Sequence, residues 1–177
     1  MQTEAYTLAD ASTLLDVEQS TPGATPLVHA ARWEALSVDD DPIADPSLSA
    51  IDQCPDGALT VEVTEDGLYL DLDTTACSWL TVTQTTIAPL QVGDTMRVWA
   101  FRWPNLVAEG QGLLRLAAGD PPETFWEHRP ELPQDRSELY YEDFPVTRGI
   151  PTGTPIYWHV ANHGQNVWSL VNVMRVD

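Results

Sequence analysis

The stretch Thr154–Asp177, TPIYWHVANHGQNVWSLVNVMRVD, decides the fold. Two apolar, aromatic-rich runs, Ile156–Ala161 and Val167–Val176, flank the segment Asn162-His163-Gly164-Gln165-Asn166. Runs of that length joined by Asn and Gly, which tolerate positive φ, predict a β-hairpin. In the second run, strict alternation puts Trp168, Leu170, Met174 and Val176 on one face, interrupted by Asn172. The hairpin holds two of the four His and two of the seven Trp. Its polar corner is therefore the first place to look for a site.

The same rhythm runs upstream. Ala58–Val63, Leu68–Asp73, Cys77–Thr86, Thr95–Trp103, Leu113–Ala118, Thr124–Arg129 and Leu139–Phe144 are short and β-branched or aromatic. Turn chemistry separates them, as at Glu65-Asp66-Gly67, Gly93-Asp94 and Pro151-Thr152-Gly153. Trp99, Phe101 and Trp103 alternate with Val98, Ala100 and Arg102, as on a half-buried strand. No amphipathic helix longer than two turns interrupts the series. The pattern predicts an all-β protein, an antiparallel jelly-roll-like β-sandwich of about ten strands. Leu27–Val38, with Trp33 near its middle, reads as a further strand. The segment DDDPIADPSLSAIDQCPDG (39–57) reads as a long loop, by its Asp, Pro and Ser content. Residues 1–24 form an N-terminal extension or edge strand, and 25–177 a single sandwich domain.

Charge narrows the partners. The 177 residues include 27 acidic and 8 basic side chains, for a net charge of −19, and every base is Arg. Nucleic acid and anionic lipid are repelled by such a field. The balance fits either an acidic, soluble surface suited to a salty exterior or a carboxylate site for a divalent cation. No apolar run reaches eighteen residues, so membrane insertion by a helix is not expected. Cys54 and Cys77 suit one disulfide, which in the chain-entropy model would contribute about 3 kcal/mol. Two buried free thiols in a cytosolic protein are the alternative. The start, MQTEAYTLADAS, has no basic or apolar region of a signal peptide, so an exported protein would stand here in mature or trimmed form.

From Gly57 onward the strand rhythm resembles the β-sandwich carbohydrate-binding-module and galactose-binding-like domains. More narrowly, CSWLTVTQ (77–84), GDTMRVW (93–99) and NHGQNVWSL (162–170) are together similar to exported jelly-roll proteins and lipoproteins of marine myxobacterial type. The resemblance implies an extracellular or cell-surface sandwich and no particular activity. It also implies a structural Ca²⁺ between an early loop and a late strand, for which Asp39, Asp41, Asp71 and Asp73 are the candidate ligands.

The candidate ligand-binding residues are Trp33, Trp103, Asn162, His163, Asn166 and Trp168. Indoles offer an apolar face to a sugar ring, while amides and imidazoles offer donors and acceptors to its hydroxyls. Turn chemistry alone also accounts for the Asn and Gly of the corner. Trp33, Trp79, Trp103 and Trp126 cannot all fit one inner face, so at least one is expected to be exposed. No nucleophile elbow, zinc-protease motif, phosphate loop or dinucleotide fingerprint is present. The reading is an exported, non-catalytic module for a glycan or similar polar ligand. The alternative is a structural subunit that joins other copies of itself through Glu4–Val17 by β-strand addition.

Overall fold

The computed structural model describes residues 4–7, 23–43, 48–64, 67–161 and 166–176. Fourteen strands follow in chain order: β1 (Glu4–Thr7), β2 (Ala24–Pro26), β3 (Glu34–Ala35), β4 (Leu59–Thr64), β5 (Gly67–Asp73), β6 (Trp79–Thr85) and β7 (Thr95–Arg102), then β8 (Asn105–Gln111), β9 (Leu113–Ala118), β10 (Glu123–His128), β11 (Glu131–Gln134), β12 (Glu138–Pro145), β13 (Pro155–Ala161) and β14 (Val167–Val176). A seven-stranded sheet runs β1-β4-β5-β14-β7-β12, with β2 also paired to β14, and a five-stranded sheet runs β10-β9-β13-β6-β3. Every pairing within them is antiparallel. The expected β-sandwich is what the chain forms.

Alternation builds the core. Leu68, Leu70 and Leu72 of β5, Val98 and Ala100 of β7, Leu80 and Val82 of β6, and Ile156, Trp158 and Val160 of β13 all face inward in one cluster. Such packing is the expected outcome when two half-apolar sheets are stacked face to face. β13 and β14 do not pair with each other. β13 lies between β6 and β9, and β14 between β5 and β7. The two arms of the expected hairpin therefore belong to different sheets.

Other expectations need correction. A register shift between Leu170 and Asn172 breaks the alternation of β14, so Val173 rather than Met174 joins the core cluster with Trp168 and Leu170. A bulge inserts one residue and flips the faces beyond it. Leu27–Val38 is not one strand. His29 caps a 3₁₀ turn at Ala30–Arg32, its Nδ1 accepting from the Ala31 N–H, and only Glu34–Ala35 pairs, with β6. The strands β8 and β11, which form a separate two-stranded ribbon, were not anticipated.

Cys54 and Cys77 are joined in a disulfide, with their Cα atoms 5.0 Å apart. It fastens one end of a strap, of which residues 36–43 and 48–53 are described, on the outer face of the five-stranded sheet. The Trp79 indole N–H donates to Ser49 O at 3.0 Å, Gln53 Nε2 to Leu36 O at 2.6 Å, and Leu36 N to Thr81 O at 2.9 Å. Thr81 Oγ1 bonds Asp41 Oδ2 and lies 2.7 Å from His159 Nδ1. Beneath this cover Trp79, Thr81 and His159 are fully buried.

Candidate functional site

The outer face of the seven-stranded sheet is built differently. Each residue that alternates with the core points to this side, so cross-strand register assembles the surface. One row runs Leu139, Phe101, Ser169, Asp71, Thr60 across β12, β7, β14, β5 and β4. The next includes Tyr141, Trp99 and Asn172, with Tyr69 opposite Glu62 further across the sheet. Trp103 extends the file of Trp99 and Phe101 past the end of β7.

Aromatic rings dominate the patch. Tyr69 meets Phe101 and Phe101 meets Trp103, each pair edge-to-face with ring centroids 5.7 Å apart. Because Tyr69 is on β5 and Phe101 on β7, their contact spans β14, and Ser169 beneath them is fully buried. A second pair, Trp99 and Tyr141, is also edge-to-face at 5.7 Å. Edge-to-face contacts satisfy the ring quadrupoles and fix the ring orientations. Trp103 is 48% and Tyr141 50% exposed, so the row is open to a partner.

Polar groups lie among and below the rings. Arg97 grips Asp143 with two bonds, at 2.5 and 2.6 Å, donates to the Tyr141 hydroxyl at 2.6 Å, and sits 4.4 Å from that ring's centroid. The guanidinium holds the Asp143 carboxyl below the usual carboxylate range. Burial pushes Asp71 up to about 6; Ser169 opposes the rise, while Glu62 and Asp73 add to it. Asp71 Oδ1 and Asn172 Oδ1 are buried with no hydrogen-bond partner among the described residues.

Of the residues singled out in the sequence, Trp103 lies in this patch. Trp33 is 1% exposed and Trp168 is fully buried, both within the core cluster, so neither has a face to offer a ligand. The Trp168 indole N–H donates to Thr74 Oγ1 at 3.2 Å, and Asn166 O accepts from the Thr74 N–H at 2.9 Å. Asn166 is thus tied into the sheet and is 3% exposed. Asn162 and His163 lie outside the described residues. Asp39 and Asp41 belong to the strap side and Asp71 and Asp73 to the opposite sheet, so the four carboxylates do not fit one calcium ion. Among the described residues no group of three or more His, Cys, Asp or Glu is placed to hold a metal.

Tyr69 and Tyr141 are the members of the patch that were not singled out from the sequence. Alternation in Tyr69-Leu70-Asp71-Leu72-Asp73 and in Leu139-Tyr140-Tyr141-Glu142-Asp143 carried the signal. Only the strand order, with β14 between β5 and β7, shows that these faces meet.

No protein-family model and no curated protein matches the chain. Among solved structures it is similar to a Stig cyclase from Fischerella sp. TAU in complex with (3Z)-3-(1-methyl-2-pyrrolidinylidene)-3H-indole, at 10% identity and TM-score 0.51, over 99% of this chain and 98% of that one. It is also similar to an arabinose-bound α-L-arabinofuranosidase, at 12% identity and TM-score 0.49, over 85% of this chain. There the chain spans 24% of the arabinofuranosidase's length. Carbohydrate-binding modules are among the neighbours: one specific for non-crystalline cellulose aligns at 11% identity and TM-score 0.46, over 67% of this chain and 80% of that one. At such identities likeness concerns the fold alone.

Proposed function

We propose that the protein is a non-catalytic module that binds a neutral glycan along the outer face of its seven-stranded sheet. The observation that carries this reading is the row Tyr69–Phe101–Trp103, with Trp103 half exposed, beside the neighbouring pair Trp99–Tyr141, with Tyr141 half exposed. A sugar has an apolar C–H face and a rim of hydroxyls. An aromatic row answers the first, and the exposed Asp143 carboxylate and Tyr141 hydroxyl on the same face answer the second. Rings held in mutual contact lose little freedom on binding, which favours affinity.

The sign of the charge selects the glycan. Glu62, Asp71, Asp73 and Asp143 lie on this face, and the chain's net charge is −19. Uronic or sulfated polymers meet a repulsive field. The Cys54–Cys77 disulfide favours an oxidising compartment, so we place the module outside the cytoplasm or on the cell surface. Calcium has no part in this reading.

Native electrophoresis through gels containing soluble β-glucan, xylan, galactomannan or alginate tests it. Retardation by at least one neutral polymer and none by alginate is the expected outcome. Unretarded migration in every gel, or retardation by alginate alone, overturns the assignment.

A further inference from the structure

The two sheets do not close against each other everywhere. Where β10 and β12 form their outer edges, a cleft of about 390 Å³ opens between the layers. Met96, Ala118, Phe125, Phe144, Val146 and Ile150 supply its apolar wall. Well-packed sandwich cores leave few voids larger than a water molecule, so a space of this size is a feature to be explained. It also falls in the size range of small-molecule sites.

The cleft is preformed. Trp126 packs edge-to-face on Tyr140 at 5.9 Å, and its indole N–H donates to Glu142 Oε2 at 2.9 Å, tying β10 to β12. His128 sits 4.4 Å from the Tyr140 ring centroid in the same clasp. The loop after β12 is fixed by reciprocal backbone bonds between Leu90 and Ile150, at 2.8 and 2.9 Å, and by the Val146 N–H to Asp94 O at 2.8 Å. A register shift between Thr124 and Trp126 marks a bulge at Phe125, which lines the cleft. Phe125 and Phe144 are stacked, with centroids 6.3 Å apart and planes 30° from parallel. Two apolar rings held in mutual contact supply a large part of this wall.

The rim is polar and mostly acidic. Arg148 meets Glu123 at 2.5 Å, both more than half exposed, and Asp120 also lines the opening. Among the described lining residues, two carboxylates stand against the single Arg148, a balance that disfavours an anionic ligand.

We infer that this cleft is a second binding site, separate from the aromatic sheet face, that takes a small, neutral, ring-bearing apolar molecule. It is independent of the glycan reading and stands if that reading fails.

Titration with the neutral fluorescent probe N-phenyl-1-naphthylamine tests the assignment. The intact protein should give a saturable rise in fluorescence and a higher melting temperature with probe bound. Thr124→Trp and Thr147→Trp each place an indole at the mouth from an exposed position, and each should weaken binding by about tenfold or more. Trp103→Ala should leave probe binding unchanged. Absence of a saturable signal, unaltered binding in both folded Trp variants, or loss in Trp103→Ala overturns the site.

Discussion

The outer faces of the two sheets carry similar side chains and have opposite fates. On the five-stranded sheet, Trp79, Thr81 and His159 are sealed under the strap residues 36–43 and 48–53. On the seven-stranded sheet, Trp103 and Tyr141 remain about half exposed, and Tyr69, Trp99 and Phe101 are partly so. Tryptophan, histidine and threonine together would be a plausible ligand constellation on either surface. What decides between them is the Asp- and Pro-rich loop and the disulfide that fastens it. A covered face contributes to stability; an open one is available for recognition.

The largest expected effects come from breaking the covered face. Trp79→Ala removes a fully buried indole and its bond to Ser49, and should cost about 3–5 kcal/mol in urea unfolding. Cys54→Ser releases the strap, and from the 23-residue separation of the two cysteines the loss is about 3 kcal/mol. It should also make Trp79 accessible to acrylamide quenching, which the intact protein prevents. If Cys54→Ser left both stability and quenching unchanged, the strap would not be the element that separates the two faces.

Asp71 sharpens the comparison through pH. Its native carboxyl takes up a proton near pH 6, against 3.8 for the ordinary side chain. Between these values the native state binds more protons than the unfolded one, so this group's contribution to stability is lost as pH rises from about 4 to about 6. Asp71→Asn removes that dependence. Its stability relative to the parent should improve by up to roughly 3 kcal/mol between pH 4 and pH 7. A difference that does not change with pH would mean the carboxyl is not held in the buried site described.

The smallest stability effect is expected at the open face. Trp103→Ala and Tyr141→Ala should each change stability by less than about 1 kcal/mol, since both side chains are half in solvent. Their effect should appear in glycan retention instead. A loss of stability like that of Trp79→Ala would show that the two faces are not different in kind.

The contrast also marks what the sequence makes legible. Strands are local, so most spans from Leu59 to the C-terminus, β8 and β11 apart, follow from short alternating runs and turn residues. Alternation even places Trp99, Phe101 and Trp103 on one side of β7. Burial is not local. Trp33 and Trp168 look like ligand platforms in sequence and pack in the core, because cover comes from elements far along the chain. A bulge cannot be seen either: one extra residue between Leu170 and Asn172 reverses the faces of β14. The aromatic patch requires β14 to lie between β5 and β7, a pairing that joins residues about seventy to one hundred positions apart.

The central claim is that the seven-stranded sheet binds ligand through its exposed rings. It is tested most directly by the migration of Trp103→Ala beside the parent protein, in a gel containing the neutral polysaccharide that retards the parent most. Near-free migration of a variant with an unchanged melting temperature is the predicted result. Retardation equal to the parent's would contradict the claim.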